Sequence, residues 1–152
     1  MAMLSATDRA FDPTGRASAL GLLGRLMMAA IFLVSGAGKL ASPDATLGYI
    51  AAAGLPFPHA ALVVAIAVEV VGGAALVAGY RTRLVAAVLA LFCIATAVFF
   101  HAAFADQNQF IHFFKNLTMA GGFLQIVAAG PGAISVDAAC RRRDARRRGL
   151  SG

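Results

Sequence analysis

The sequence predicts an all-α membrane protein, a four-transmembrane-helix bundle with a short interfacial helix between helices 1 and 2. The chain has 152 residues, of which 60% are hydrophobic and 13% charged, about half the charged share of a soluble domain. Its mean hydropathy is +0.79. The apolar residues gather into four runs, each close to the ~20 residues that a helix needs to cross the hydrocarbon core. No run alternates apolar and polar residues as a porin strand does.

The elements follow in order. Residues 1–18 read as a polar, turn-rich cytoplasmic leader, and residues 19–132 as the four-helix domain. The first span is Leu20–Leu40. Its basic lead-in, the apolar stretch from Leu26 to Val34 and the small-residue site ending at Ala37 resemble a cleaved signal. Cleavage would put the basic middle loop and the basic tail on opposite sides of the membrane, so retention is expected. Next comes "ASPDATLGYIAAAGLPFP". Ser42-Pro43-Asp44 reads as a turn or helix start, Thr46 to Ala53 as a short interfacial helix, and Gly54 with Pro56 and Pro58 as its end. The second span is His59–Gly79, and the short loop "GYRTR" joins it tightly to the third, Leu84–Phe104. A polar loop, "ADQNQF", leads to the fourth, His112–Gly130, which Gly130-Pro131-Gly132 ends. Residues 133–152 form a basic tail, read as solvated and topogenic.

Charge sets the orientation. With four spans, the leader, the middle loop and the tail share one side, and all eleven arginines lie there: Arg9, Arg16, Arg25, Arg81, Arg83 and six in the tail. Lys39 and Lys115 lie towards the other side. Both termini are therefore expected in the cytoplasm. The two cysteines, Cys93 in the third span and Cys140 in the tail, differ in depth and should not pair. The chain has no C-x-x-C motif for dithiol exchange. His59, His101 and His112 fall near the outer ends of three spans, but no ligand spacing supports a metal or haem.

The polar residues within the spans converge. Arg25, Phe32 and Lys39 are seven apart on one face of span one, with Ser35 one turn before Lys39. Glu69 has Ala65, Gly72 and Gly73 on its face, so it points into the bundle. His112, Lys115, Asn116 and Met119 form a stripe on span four, and His101 lies near the outer end of span three. Glu69 lies about 15 Å into span two and Lys115 about 5 Å into span four at about 1.5 Å per residue. Glu69–Lys115 is the expected ion pair, with Lys39 the competitor. An intramembrane charge of this kind pairs, faces the interior and marks function. Its structural alternative is a clamp between helices, with the other lysine reaching the interface.

Three stretches carry a family resemblance: "GRLMMAAIFLVSGAGKLASPDATLGYIAAAGLPFP", "AVEVVGGAALVAGYRTR" and "QNQFIHFFKNLTMAGGFLQIVAAGPGAISVD". In this order, from Gly24 to Asp137, they resemble the DoxX family. The resemblance implies a four-helix bacterial inner-membrane protein, similar to membrane subunits of thiosulfate:quinone oxidoreductase. It also implies redox partners that handle thiols or remove superoxide. The family's polar positions would fall on Arg25, Lys39, Glu69, Asn108, His112, Lys115 and Asn116.

Two readings of function follow. In the first, a membrane subunit of a redox system binds a quinone or a small sulfur oxyanion in a polar intramembrane pocket. Glu69 and Lys115 act there, and Lys39, Arg25, Asn108, His112, Asn116 and His101 bind. The sequence has no flavin, nicotinamide or metal motif, so the chain would be part of an oxidoreductase rather than a complete one. In the second, the bundle is a non-catalytic scaffold or assembly factor whose arginine tail docks partners. The lipid bilayer is the expected environment and no nucleic-acid partner is expected. The Gly and Phe faces permit a homo-oligomer.

Overall fold

The computed structural model describes residues 16–149. The expected leader lies outside the described residues up to position 15. All regular structure among the described residues is helical. The elements are α1 (Arg16–Ala41), α2 (Pro43–Ala52), α3 (Pro58–Ala78), α4 (Thr82–Phe100), α5 (Gln107–Ala129) and α6 (Val136–Arg147).

Three helices are long and apolar enough to cross a membrane: α1 from Ser18, α3 and α4. The 23 residues of α5 make a helix about 35 Å long, also sufficient to span, but its first half is more polar. Large apolar side chains cover the outside. Leu20, Val34, Val63, Val71 and Leu91 are each about two-thirds exposed, an arrangement that suits lipid rather than water. Inside, Ala29 and Phe32 of α1, Leu76 of α3, Ala86, Leu89, Ala90 and Cys93 of α4, and Ala120 and Phe123 of α5 form one core. The Phe32 and Phe123 rings meet edge to face at 5.4 Å, the favoured geometry for two quadrupoles. α3 packs between α1 and α4, and α5 lies chiefly along α4.

Several element ends differ from the expectation. α1 begins at Arg16 instead of Leu20. α2 begins at Pro43, three residues before Thr46 and in keeping with the helix-start reading of Ser42-Pro43-Asp44, because proline's fixed φ suits the first helical position. α4 ends at Phe100, so the stretch to Phe104 is loop. α5 begins at Gln107, five residues before His112. Asp106 caps it, accepting hydrogen bonds from the N–H of Asn108 at 2.7 Å and of Gln109 at 3.0 Å. Most of the expected loop "ADQNQF" is therefore the first turn of a helix. Within α3 the turn from Ala67 to Gly72 is a π-helix, which periodicity did not predict.

The tail keeps its arginines exposed, as expected of a solvated segment, but it also folds back onto the α3–α4 turn as α6, which was not expected. Ser135 caps α6 by accepting from the Ala138 N–H at 3.1 Å. Asp137 caps a different helix. Its carboxylate accepts from the N–H of Arg81 at 2.8 Å, the N–H of Thr82 at 2.9 Å and the Thr82 hydroxyl at 2.9 Å. These groups sit at the N-terminus of α4, where orphan donors and the helix dipole favour an anion. Burial pushes the Asp137 carboxyl up. The bonds from Thr82 and Arg81, and the charge of Arg141, outweigh this and hold it below its ordinary value. Arg25, 2% exposed, donates to the Leu76 carbonyl at 3.3 Å and to the Ile134 carbonyl. It thereby ties α1, α3 and the tail together. Gly79 makes the turn possible. Its φ is +68°, and a Cβ there would land on Arg25 and Ser135.

Two outcomes follow. Gly79→Ala should lose about 2–3 kcal/mol, from left-handed strain and displacement of Arg25, read as unfolding of the detergent-solubilised protein. An unchanged midpoint would mean that Arg25 is not locked by this turn. The Asp137 anchor has a depressed folded-state pKa. Its contribution is therefore full above the unfolded value of about 3.9 and is lost as pH falls through the lower folded value. The Tm gap between wild type and Asp137→Asn should be widest above about pH 5 and should narrow progressively as pH falls below about 4. A gap independent of pH would assign it to packing instead.

Candidate functional site

The site begins where α1 crosses the π turn of α3. Gly36 allows this approach, since a Cβ there would lie 2.6 Å from Cγ2 of Val70 and 3.2 Å from Cβ of Glu69. Ser35 and Lys39 are one turn apart on α1 and both reach Glu69. Lys39 Nζ is 2.8 Å from Glu69 Oε1 and donates to Ser35 Oγ at 2.8 Å. The Ser35 hydroxyl donates to the same Oε1 at 3.1 Å. Glu69, 4% exposed, thus has a cation and a hydroxyl on one oxygen. Its other oxygen, Oε2, is buried without a protein donor.

This corrects the expected pair. Glu69 pairs with Lys39, the competitor, and not with Lys115. α5 packs chiefly on α4, and Lys115 and Glu69 line the same cavity without an ion pair between them. Lys115 makes no hydrogen bond or ion pair among the described residues and is exposed. It lies eight residues into α5, about 12 Å from its start, because α5 begins earlier than its apolar run.

The cavity has a volume of about 1390 Å³. Phe32, Phe92, Phe99, Phe100, Phe110 and Phe114 contribute to an apolar wall. Ser35, Lys39, Glu69, His101, His112, Lys115 and Asn116 supply the polar groups. The His101 and His112 rings stack at 5.1 Å with their planes 27° apart. His101 Nδ1 is 2.7 Å from Gln109 Oε1, and with that oxygen accepting, Nδ1 is the donor. Asn116 is buried and gives one amide hydrogen to the His112 carbonyl at 3.0 Å, leaving the second for another acceptor. Sequence reasoning missed Gln109 and the π turn. Gly72 and Gly73, at the end of that turn, are its nearest local signal.

Two predicted binding residues lie elsewhere. Arg25 is fourteen residues before Lys39 on α1, about 21 Å along the helix, and holds the opposite end of the bundle. The seven-residue spacing put both on one face correctly but not at one depth. Asn108 is exposed in the first turn of α5 and does not line the cavity. His59 is exposed as well. Among the described residues no three His, Cys, Asp or Glu side chains gather as a metal-ligand set.

A family model described as DoxX matches residues 20–102. The chain belongs to the DoxX family. It is similar to inner membrane protein YqjF of Escherichia coli (strain K12), with 39% identity over 116 residues, 76% of this chain and 88% of that protein. It is also similar to inner membrane protein YphA of the same organism, with 35% identity over 136 residues, 86% of this chain and 97% of that protein. No solved structure matches. The DoxX match takes in Arg25, Lys39, Glu69 and His101 and stops short of α5. This DoxX chain is an integral membrane protein, and its Lys39–Glu69 clamp lies within the matched segment.

The clamp predicts a cycle of variants. Lys39→Met should cost about 3–5 kcal/mol, because it leaves a buried carboxylate without its cation. The double variant Lys39→Met/Glu69→Leu should recover most of that loss. Lys115→Met should change stability by less than about 0.5 kcal/mol. Unfolding in detergent measures all three. A large loss in Lys115→Met with none in Lys39→Met would return the pair to Lys115.

Proposed function

We propose that this chain spans the bacterial inner membrane four times, with both termini in the cytoplasm. We further propose that it serves a redox system as a membrane subunit whose cavity binds a quinone. The carrying observation is the cavity itself, an aromatic wall with a few polar groups from α1, α3, α4 and α5. Such a lining suits a ligand with an apolar body and a carbonyl head. The names of the two relatives support the location. The length of α5 and its packing along α4 support the fourth span. The arginines Arg25, Arg81, Arg83, Arg141 and Arg142, gathered around one cavity, support the orientation.

The residues fit a quinone head. Lys115 offers an ammonium and Asn116 an amide hydrogen to ring carbonyl oxygens. The histidine pair can hold protons at ring nitrogens. Lys39 neutralises Glu69 and Ser35 donates to it, which keeps the clamp in place beside the ligand; among the described residues Lys115 lines the cavity without an ion pair. A small sulfur oxyanion suits the cavity less well, since its lining is mainly apolar and one of its two lysines is already paired. A bound quinone takes up two electrons and two protons on reduction. The sequence carries no flavin or nicotinamide fingerprint, so a partner protein supplies the electrons. The scaffold reading draws on a different feature, the exposed arginines Arg143, Arg146 and Arg147 of α6.

Mass spectrometry of the detergent-solubilised protein separates the two readings. Wild type should carry quinone, and Lys115→Met, which leaves the clamp intact, should carry about tenfold less, the loss of one charged hydrogen bond. Equal quinone in both proteins would remove Lys115 from the site, and none in either would leave the scaffold reading.

A further inference from the structure

At the opposite end of the bundle lies a second cavity, of about 1180 Å³. Arg25, Arg81, Arg83, Arg141 and Arg142 line it, against one carboxylate, Asp137. Asp137 is already engaged by Arg81 and Thr82. Arg25 is buried within the bundle and forms no ion pair among the described residues. Arg83 reaches the Ala128 carbonyl at 3.4 Å and Arg142 the Ala133 carbonyl at 3.2 Å. These neutral acceptors fix the guanidinium groups without cancelling their charge. Arg141 and Arg142 lie one helical turn beyond Asp137 and Ala138, so α6 turns one face to the cavity.

The remaining wall is different in kind. Gly21, Gly24 and Met28 of α1 and Gly122 and Ile126 of α5 line it, with Ser18 and Gln125 as the polar members of the same two faces. α1 and α5 meet through side chains here, with Met28 against Gly122, and the small residues leave a shallow apolar groove. A cationic rim above an apolar groove, at the end of a membrane-embedded bundle, matches an anionic lipid in both charge and polarity.

We propose that this cavity binds an anionic glycerophospholipid, its phosphate held by the arginines and an acyl chain lying in the groove between α1 and α5. The guanidinium groups recognise phosphate oxygens bidentately, and the buried charge of Arg25 biases the back wall towards an anion. The lipid would join α1, α5 and α6 at the end where Arg25 already ties α1, α3 and the tail. α6 therefore acts as one side of a lipid site and not as a free arginine tail.

Native mass spectrometry of the full chain in mild detergent tests this. Phosphatidylglycerol and phosphatidylcholine with the same acyl chains would be titrated separately, and inorganic phosphate added in a third arm. Three proteins are compared: wild type, Arg83→Gln/Arg142→Gln at the cavity, and Arg146→Gln/Arg147→Gln on α6 away from it. Both variants remove two exposed charges, and circular dichroism would check that their helices are kept. Wild type should retain phosphatidylglycerol at least about tenfold better than phosphatidylcholine, a tenfold difference being about 1.4 kcal/mol. The cavity variant should lose that preference and the distal variant should keep it. Equal retention of the two lipids would overturn the proposal, as would equal loss in both variants. Full displacement of the lipid by millimolar phosphate would also overturn it, reducing the site to one for free phosphate.

Discussion

A charge taken into hydrocarbon must find its partner inside the protein, and the seam between α1 and α3 is built on that requirement. Lipid offers no hydrogen bonds, so each buried polar group is satisfied by the bundle or left costly. At one end of the seam Lys39 and Ser35 meet Glu69 on the π turn. At the other, Arg25 holds the Leu76 carbonyl of α3 and the Ile134 carbonyl of the tail. Between them Ala29 and Phe32 pack into the core, and Gly36 brings the backbones close. Sliding α1 by one residue would break both polar ends at once. The polar groups thus fix the register of two helices whose apolar faces alone would tolerate several.

The π turn belongs to the same requirement. A wider turn in the middle of a membrane helix gives up regular hydrogen bonding and persists where something over-determines it. Here the over-determination is Glu69, held from α1 by two donors on one oxygen. Glu69 sits in the buried row of α3 that runs through Leu62, Ala65, Gly73 and Leu76. Clamp and π turn are one feature, an acidic group presented to a cavity from a helix locally reshaped to carry it.

Much of this was legible in the sequence. Hydropathy and length give the helices, because the apolar runs answer directly to bilayer thickness. The small residues around Glu69 put it inside, since only close-packed helices would use them. Polar termini were less legible. Asp106 extends α5 backwards through residues that read as loop, because a capping side chain can override a polar composition. Partner choice was the least legible. Lys39 and Lys115 are equivalent as letters, and a close approach at Gly36 decided between them. Arg25 shares a face with Lys39, but periodicity reports an angle around the axis and not a position along it. The tail looked free because its docking depends on Asp137 meeting Thr82, fifty-five residues away in sequence.

The polar residues of this chain therefore divide into those consumed by the fold and those left over. Lys39, Ser35, Asp137, one oxygen of Glu69 and two of the donors of Arg25 are engaged within the bundle. Their variants should be read first as changes in stability. Lys115, the second amide hydrogen of Asn116 and the exposed arginines around the other cavity are not consumed. A side chain that packing would replace with leucine, yet which pairs with nothing, needs a reason outside the fold. Lys115 lines the first cavity, and the quinone site proposed there would give it that reason. A lysine required only to clamp helices would have been placed opposite a carboxylate, and Lys39 already occupies that position.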